Sequence, residues 1–184
     1  MARTCGPVAQ RAPAAATAFD EDEPADHGLG RSVGGFGTKL HLVSDGAGGP
    51  LNVTVTPGQA HESTQLEVTL APIAIARRRT GRVRRRPRRV AGDRAYHAQR
   101  IRRWLRQRGI QPVIPPRRTR TKTPKRGRPI HYDAVAYRGR NVVERCIGWV
   151  KEWRSVATRF DKLAVNYLQT VKLAFLMRYL RLLT

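Results

Sequence analysis

Two arginine-rich stretches divide this sequence and restrict where a folded core can form. Residues 77–89 read RRRTGRVRRRPRR and contain nine arginines, and residues 117–129 read RRTRTKTPKRGRP. No core of a 184-residue chain can take up so many guanidinium groups, because a buried charge needs a partner. Both stretches are therefore predicted to be exposed loops, and the folded elements must lie around them.

The charge of the whole chain points to a polyanionic partner. The formal net charge is +23 and the isoelectric point is about 11.6, so the chain attracts polyanions and nucleic acid is the default partner. Ribosomal and architectural proteins share this property, so charge alone does not choose among them. The arginines of the two loops are predicted to contact DNA phosphates rather than bases. They are Arg84, Arg85, Arg86, Arg88, Arg89, Arg117 and Arg118.

Cysteine content and hydropathy indicate the compartment. Cys5 and Cys146 form neither a disulfide framework nor a metal-type cluster, which favours a reducing compartment. The longest apolar stretch, LAFLMRYLRLL, is interrupted by arginine and is too short to span a bilayer. We therefore expect a cytoplasmic, nucleoid-associated protein with no membrane partner.

The pattern of apolar residues predicts an α/β domain with a mixed sheet. Residues 38–45 alternate, with Leu40 and Leu42 on the buried face and Lys39 and His41 opposite, which is typical of a half-buried strand. A β-rich run at 50–58 follows a glycine turn, so the two are expected to form a hairpin. Residues 1–29 are predicted to be a disordered or degenerate tail, and residues 30–184 the folded domain. Short strands are predicted at 89–96 and 110–116, and helices at 61–76 (capped by Ser63 or Thr64), 97–109 (with Trp104 facing the core), 133–157 and 163–183.

Two acids stand out against the basic background. Asp93 follows a short apolar run, and Glu144 falls on the polar side of a predicted helix with Tyr137, Arg140 and Lys151 when positions advance by about 100° per residue. An ordinary turn residue at position 93 and an i,i+4 ion pair of Arg140 with Glu144 are the alternatives. Carboxylates in a basic protein are also what metal-assisted phosphodiester chemistry requires, since they hold Mg²⁺ beside the phosphate.

The spacing of Tyr137, Arg140, Glu144 and Lys151 resembles the Y-(2)-R-(3)-E-(6)-K signature of DDE transposases of bacterial insertion sequences. Other blocks resemble that family in its own order: GRSVGGFGTKLHLVSD, TPGQAHEST, VAGDRAY, GIQPVIPP and ATRFDKLAVNY. The resemblance covers roughly residues 28–184.

The resemblance implies an RNase H-like fold in which two aspartates and one glutamate bind two divalent ions, Mg²⁺ in the cell. Asp93 would be the second acid and Glu144 the third, both catalytic and both metal ligands, while Tyr137, Arg140 and Lys151 would contact or position the DNA. The implied reaction is hydrolysis of a phosphodiester followed by strand transfer to target DNA. Transposon ends and target DNA would be the partners, with a homodimer on DNA and an upstream-frame transposase polypeptide as further candidates.

One element of the family pattern is missing. The family's first aspartate lies on a strand upstream of the GLGRS block at residues 28–32, and no residue of this chain cleanly supplies it. We therefore expect the domain to be incomplete at its N-terminus and inactive alone. A truncated remnant, a downstream-frame product and a purely DNA-binding, interfering fragment remain open as explanations.

Overall fold

The computed structural model of the chain describes residues 2–4, 26–77, 79–116 and 132–183. The strands are β1 (Ala2–Thr4), β2 (Gly30–Ser32), β3 (Gly35–Ser44), β4 (Pro50–Pro57), β5 (Ile75–Ala76), β6 (Val83–Arg84), β7 (Arg89–Ala91) and β8 (Gln111–Val113). The helices are α1 (Glu62–Leu70), α2 (Gln99–Gln107), α3 (Ala134–Arg138), α4 (Asn141–Lys151), α5 (Arg154–Thr158) and α6 (Ala164–Leu183), with a 3-10 turn at Arg94–Tyr96. The mixed α/β class is confirmed.

The hairpin of β3 and β4 is the longest pairing of the sheet. The strands are antiparallel, with Leu40 opposite Val55 and Leu42 opposite Val53, as the alternation predicted. The prediction of a half-buried strand was wrong, because Lys39 and His41 are buried as well. The face that carries them is covered by α1, which packs against both strands.

The strand at the N-terminus joins the centre of the sheet. β1 lies between β3, to which it is antiparallel, and β7, to which it is parallel. Among the described residues the main sheet has six strands, in the order β2-β3-β1-β7-β8 with β4 on the other side of β3. The prediction of a disordered tail is therefore wrong for residues 2–4, which form a strand. Three residues are too few to show an alternating pattern, so the strand is recognised only by its pairing with β3 and β7. Residues 1 and 5–25 of that tail lie outside the described residues.

Two hydrophobic clusters cover the two faces of this sheet. The first joins Leu40 and Leu42 to the inner sides of α4 and α6, including Val143, Val150 and Tyr167. The second joins the other face to α1 and α2. Its members are Val43, Leu66, Leu70, Val90, Tyr96, Ile101, Leu105, Ile110 and Ile114. The sheet is thus a middle layer, and its strand ends open to the surface between helices.

The helix predicted at 61–76 is shorter in the structure. It ends at Leu70, just before Pro72, because proline cannot supply the backbone N–H that a continuing helix needs. Its cap is also different, since the His61 ring Nδ1 accepts a hydrogen bond from Ser63 N at 3.2 Å. The residues that follow, Ile75–Ala76, form β5 instead.

The helix predicted at 133–157 is broken into three. α3 ends at Arg138 and α4 begins at Asn141, with Gly139 and Arg140 in the turn between them. Glycine weakens a helix interior, and here it marks the break. The last helix, α6, spans Ala164–Leu183 and confirms the prediction for 163–183.

Part of the first arginine-rich stretch is ordered as a β-ribbon. β5 and β6 pair antiparallel, with Ile75 opposite Arg84 and Ala76 opposite Val83. The prediction of a loop was therefore wrong for Val83 and Arg84, whereas the predicted exposure of this stretch is confirmed for most of its described residues. The second stretch, residues 117–129, lies outside the described residues.

Candidate functional site

Asp93 lies just beyond the carboxyl end of β7. Its Oδ1 accepts a hydrogen bond from Ala95 N at 2.9 Å, which caps the short 3-10 turn that follows. This is the turn role considered as the alternative for Asp93, and it occupies one carboxylate oxygen. Strand ends of this kind are also where ligands bind in α/β sheets.

Glu62 is a second acid near Asp93, and sequence patterns alone did not reveal it. It begins α1 and pairs with buried Lys39, with 3.6 Å between Lys39 Nζ and Glu62 Oε1. Burial raises the pKa of Glu62, and the negative charge of Asp93 raises it further. Lys39 Nζ also donates to Ala60 O at 2.8 Å. In the sequence, Glu62 is recognisable only as an acid in the first turn of a predicted helix. Such an acid by itself indicates stabilisation of the helix and not a functional site.

Glu144 lies in the first turns of α4 and is half exposed. One of its oxygens accepts a hydrogen bond from Arg140 Nη2, which forms the predicted i,i+4 ion pair. The Arg140 guanidinium also lies 5.6 Å from the centre of the Tyr137 ring. The Arg140 side chain is 18% exposed and the Glu144 side chain 48%, so Glu144 is the more accessible partner of the pair.

The predicted common face of Tyr137, Arg140, Glu144 and Lys151 is corrected by the helix break. Tyr137 belongs to α3, and its ring contacts the Arg140 guanidinium. Lys151 is exposed at the last turn of α4, about 10 Å along the helix axis from Glu144 at 1.5 Å per residue. These side chains thus form an extended strip and not a compact cluster.

The other acid at a strand end, Asp45, has a structural role. It follows β3, and its Oδ1 accepts hydrogen bonds from the backbone N–H groups of the hairpin turn, at 2.8 Å from Gly48 and 2.8 Å from Gly49. These bonds show that Asp45 stabilises the hairpin turn through one of its two carboxylate oxygens.

No group of three or more His, Cys, Asp or Glu side chains is placed to hold a metal ion within residues 26–77, 79–116 and 132–183. Asp93, which follows β7, and Glu144 on α4 are the two predicted ligands in this part of the chain. That they share one ion stays a prediction.

The predicted DNA-contacting arginines fall into three groups. Arg84, Arg85, Arg86 and Arg88 are exposed. Arg89 is partly exposed and pairs with Asp133, with 3.1 Å between Nη1 and Oδ2. Arg117 and Arg118 lie outside the described residues.

The comparisons with known proteins agree on one family. The family described as "Transposase DDE domain" matches residues 3–179. A Burkholderia cepacia protein named "Putative transposase for insertion sequence element IS402" is 37% identical over 128 residues, which are 70% of this chain and 56% of that protein. The chain belongs to the DDE transposase family. No solved structure matches it.

Membership of the DDE transposase family confirms the resemblance found in the sequence. The family match begins at residue 3, inside β1, so the N-terminal strand is part of the shared domain. The chain spans little more than half the length of the curated relative it matches, at 56%. Among the described helices, none combines the length and the apolar character that crossing a bilayer requires.

Proposed function

We propose that this chain is the catalytic-domain part of an insertion-sequence transposase and that its sheet is the RNase H-like sheet of that family. The observation that carries the proposal is the position of Asp93. It follows β7, which lies parallel to β1 in the middle of a mixed sheet with helices on both faces. The family match supports the same assignment. Transposon ends and target DNA are the proposed partners, while a homodimer on DNA and an upstream-frame polypeptide stay predictions.

The residues that the structure describes do not supply the ligand set of a two-ion site. The family's first acid belongs on a strand upstream of Gly30, and the strand described there, β1, reads Ala-Arg-Thr. Bound Mg²⁺ would neutralise the phosphate and activate a water or a 3′-hydroxyl. Asp93 and Glu144 would provide two of the carboxylates. With no third ligand grouped with them in the described part of the chain, we derive no reaction step from this site.

The side chains around Glu144 suit the binding of DNA phosphates. Arg140 presents a planar guanidinium able to bind phosphate through two hydrogen bonds, and its contact with Tyr137 restrains its position. Lys151 adds a positive charge further along the same helix. In this proposal Arg140 exchanges its contact with Glu144 for a phosphate when DNA binds, which frees the carboxylate for a cation.

The proposal predicts weak binding of one divalent ion by Asp93 and Glu144 together. Titration of Mn²⁺ followed by electron paramagnetic resonance should show weak binding to the wild-type chain and its loss in both Asp93→Asn and Glu144→Gln. Glu152→Gln removes an exposed acid one residue beyond α4 and should bind as the wild type does. If Glu144→Gln binds Mn²⁺ like Glu152→Gln, the two carboxylates do not share an ion.

Cleavage assays distinguish a working enzyme from a DNA-binding remnant. Duplexes taken from the DNA that flanks the gene should be bound by the chain but not cut, with either Mg²⁺ or Mn²⁺. The second candidate function is that of a catalytically inactive, DNA-binding fragment that interferes with a full-length relative. The sequence of β1, which holds no acid, favours it. Robust cleavage that Glu144→Gln abolishes would contradict the predicted inactivity.

A further inference from the structure

The last helix, α6, is apolar on two opposite sides. One side is buried in the first hydrophobic cluster through Tyr167 and Val171. On the other side Leu173, Leu176 and Leu180 are 59%, 53% and 48% exposed. A helix of a globular domain usually has one apolar side, and a helix that is apolar all round is usually buried. We call the exposed side the α6 stripe, and its members are Leu173, Leu176, Met177 and Leu180.

The α6 stripe is large enough to belong to an interface. Its four positions fall within an arc of about 100° when each residue advances by about 100°, and Val165 lies on the same side two turns earlier. Together with Val165 and Tyr179, the stripe exposes roughly 600 Å², which is the upper end for the largest apolar patch of a monomer. A dimer of standard size buries about 800 Å² on each partner. The stripe and its polar margin therefore approach the size of a dimer interface.

A groove beside the α6 stripe gives this surface a hollow next to its ridge. The groove has a volume of about 270 Å³ and lies between the first half of β4 and the C-terminal half of α6. β4 forms one edge of the main sheet in the described part of the chain, so the groove opens outward. A two-fold interface needs a ridge and a hollow on the same surface, because the ridge of each copy enters the hollow of the other. The apolar walls of the groove are Pro50, Leu51 and Val53 on β4 and Phe175, Leu176 and Tyr179 on α6.

The distribution of charge favours a second copy of the chain as the occupant. α6 carries three bases and no acid, and Arg178 turns toward α4, with its guanidinium 5.2 Å from the centre of the Trp149 ring. The arginines of α2 belong to the opposite face of the sheet, which the second cluster covers. An acidic partner would be attracted to those arginines and not to an apolar stripe. Two copies of a chain with a net charge of +23 repel each other at the arginines, so α6 is the surface at which they can meet.

We propose that two copies of the chain associate about a two-fold axis through the α6 stripe and the groove between β4 and α6. Leu176 belongs to both the stripe and the groove, so it lies at the centre of the contact. The association removes the exposed leucines of both copies from water, which is the favourable term. It goes beyond the proposed function, because neither DNA nor a cation takes part in it. The arginines of α2 stay exposed on the outer side of each copy.

Sedimentation equilibrium of the full chain, freed of nucleic acid and kept in EDTA, tests the association. The wild type should show a monomer–dimer equilibrium. Its dissociation constant should fall at least about tenfold between 0.15 and 1 M NaCl, because the Debye length shortens from about 8 Å to about 3 Å and the repulsion between copies is screened. Association that weakens with salt would indicate a charged interface and overturn the proposal. A wild type that stays monomeric in both salts would overturn it as well.

Matched substitutions locate the interface. The stripe variant Leu173→Gln/Leu176→Gln should dimerise at least about thirtyfold more weakly than the wild type, since each copy loses two apolar contacts. The control variant Val135→Gln/Phe160→Gln removes two side chains that are 72% and 76% exposed and lie outside the stripe and the groove. It should dimerise within about twofold of the wild type. Equal weakening in both variants would show unspecific apolar association and contradict the proposal.

Two further measurements do not depend on weakening the interface. Spin labels on Lys172→Cys, at the margin of the stripe, and on Arg103→Cys, exposed on α2, are compared in a Cys5→Ser background, where Cys146 is buried. The distance between labels of the two copies should be shorter for Lys172→Cys, and an equal or shorter distance for Arg103→Cys would place the interface elsewhere. Vesicles of phosphatidylcholine and phosphatidylserine should bind the stripe and control variants alike. Loss of vesicle binding in the stripe variant alone would make the stripe a lipid-binding surface and overturn the proposal.

Discussion

At the scale of single residues, buried polar side chains make hydrogen bonds within the layer of the sheet that α1 and α2 cover. His41 is 2% exposed, and its Nε2 lies 2.8 Å from Thr56 Oγ1. Arg102 is 1% exposed and its Nη2 donates to Ile114 O at 2.8 Å, which fixes the chain after β8. Burial raises the pKa of the free Cys146 thiol to about 11, so this cysteine stays uncharged at neutral pH. Cys146 packs in the first cluster, on the opposite face of the sheet from His41.

His41 should make stability fall on acidification. Burial, helped by the positive charge of Lys39, lowers its pKa from 6.5 to about 4. Between about pH 6.5 and pH 4, His41 is protonated in the unfolded chain but neutral in the folded chain. Lowering the pH through this interval therefore favours unfolding, whereas above pH 6.5 His41 does not make stability depend on pH. At 1.36 kcal/mol per pH unit the loss is roughly 3 kcal/mol by pH 4.

The His41→Gln variant isolates this contribution. Its free energy of unfolding in urea, relative to the wild type, should improve by roughly 2–3 kcal/mol between pH 7.5 and pH 4.5. Whatever the substitution costs at pH 7.5 cancels in this comparison. Parallel pH profiles for the two proteins would show that folding does not lower the pKa of His41.

At the scale of elements, close backbone approaches fix how β3 and β4 meet β2. Gly58 follows β4 and its N–H donates to Gly37 O at 3.0 Å. A Cβ at this position would lie 2.6 Å from Gly30 O and 3.0 Å from Gly37 O, and both are backbone atoms that cannot rotate away. The geometry of the junction thus depends on a residue without a side chain.

Two glycine substitutions should have opposite effects on stability. Gly58→Ala should destabilise the fold by about 1–3 kcal/mol, because the strands must separate to admit a methyl group. Gly148→Ala, in the middle of α4 with no atom within 4 Å of the added Cβ, should stabilise it by about 0.5–1 kcal/mol through helix propensity. Thermal and urea unfolding measure both, and a neutral Gly58→Ala would mean that β2 does not pack as described.

At the scale of the whole molecule, exposed bases dominate the surface of the described chain. The whole chain has a net charge of +23, and exposed bases lie on the ribbon, on α2 and along the strip from Tyr137 to Lys151. A duplex bound to these surfaces displaces its counterions, so its affinity depends on salt in proportion to the number of phosphates contacted. The described acids are few and several are paired with bases, which leaves most of this charge available.

DNA binding by the chain should therefore be mainly electrostatic. With about six phosphates neutralised, the affinity for any duplex should fall roughly a thousandfold between 50 and 200 mM salt. Anisotropy titrations on two unrelated duplexes should give the same slope, since phosphate contacts carry no sequence information. An affinity that barely changes with salt, or changes for one duplex only, would indicate recognition through base contacts.

The sequence by itself determined the elements that depend on local pattern. Alternation in residues 38–45 predicted β3 and its hairpin, helical periodicity predicted α2 and α6, and the composition of residues 77–89 predicted exposure. The ordered blocks also sufficed to find the family. These features are readable because strand and helix periods, turn residues and charge density are properties of neighbouring positions in the chain.

The tertiary structure alone decided which distant residues are neighbours. It inserted β1 between β3 and β7, and it placed Glu62 beside Asp93 with buried Lys39. It also brought the ribbon to the side of Trp104. None of these contacts has a local signal, because each arises from packing helices on both faces of one sheet, which joins segments that the sequence separates by tens of residues.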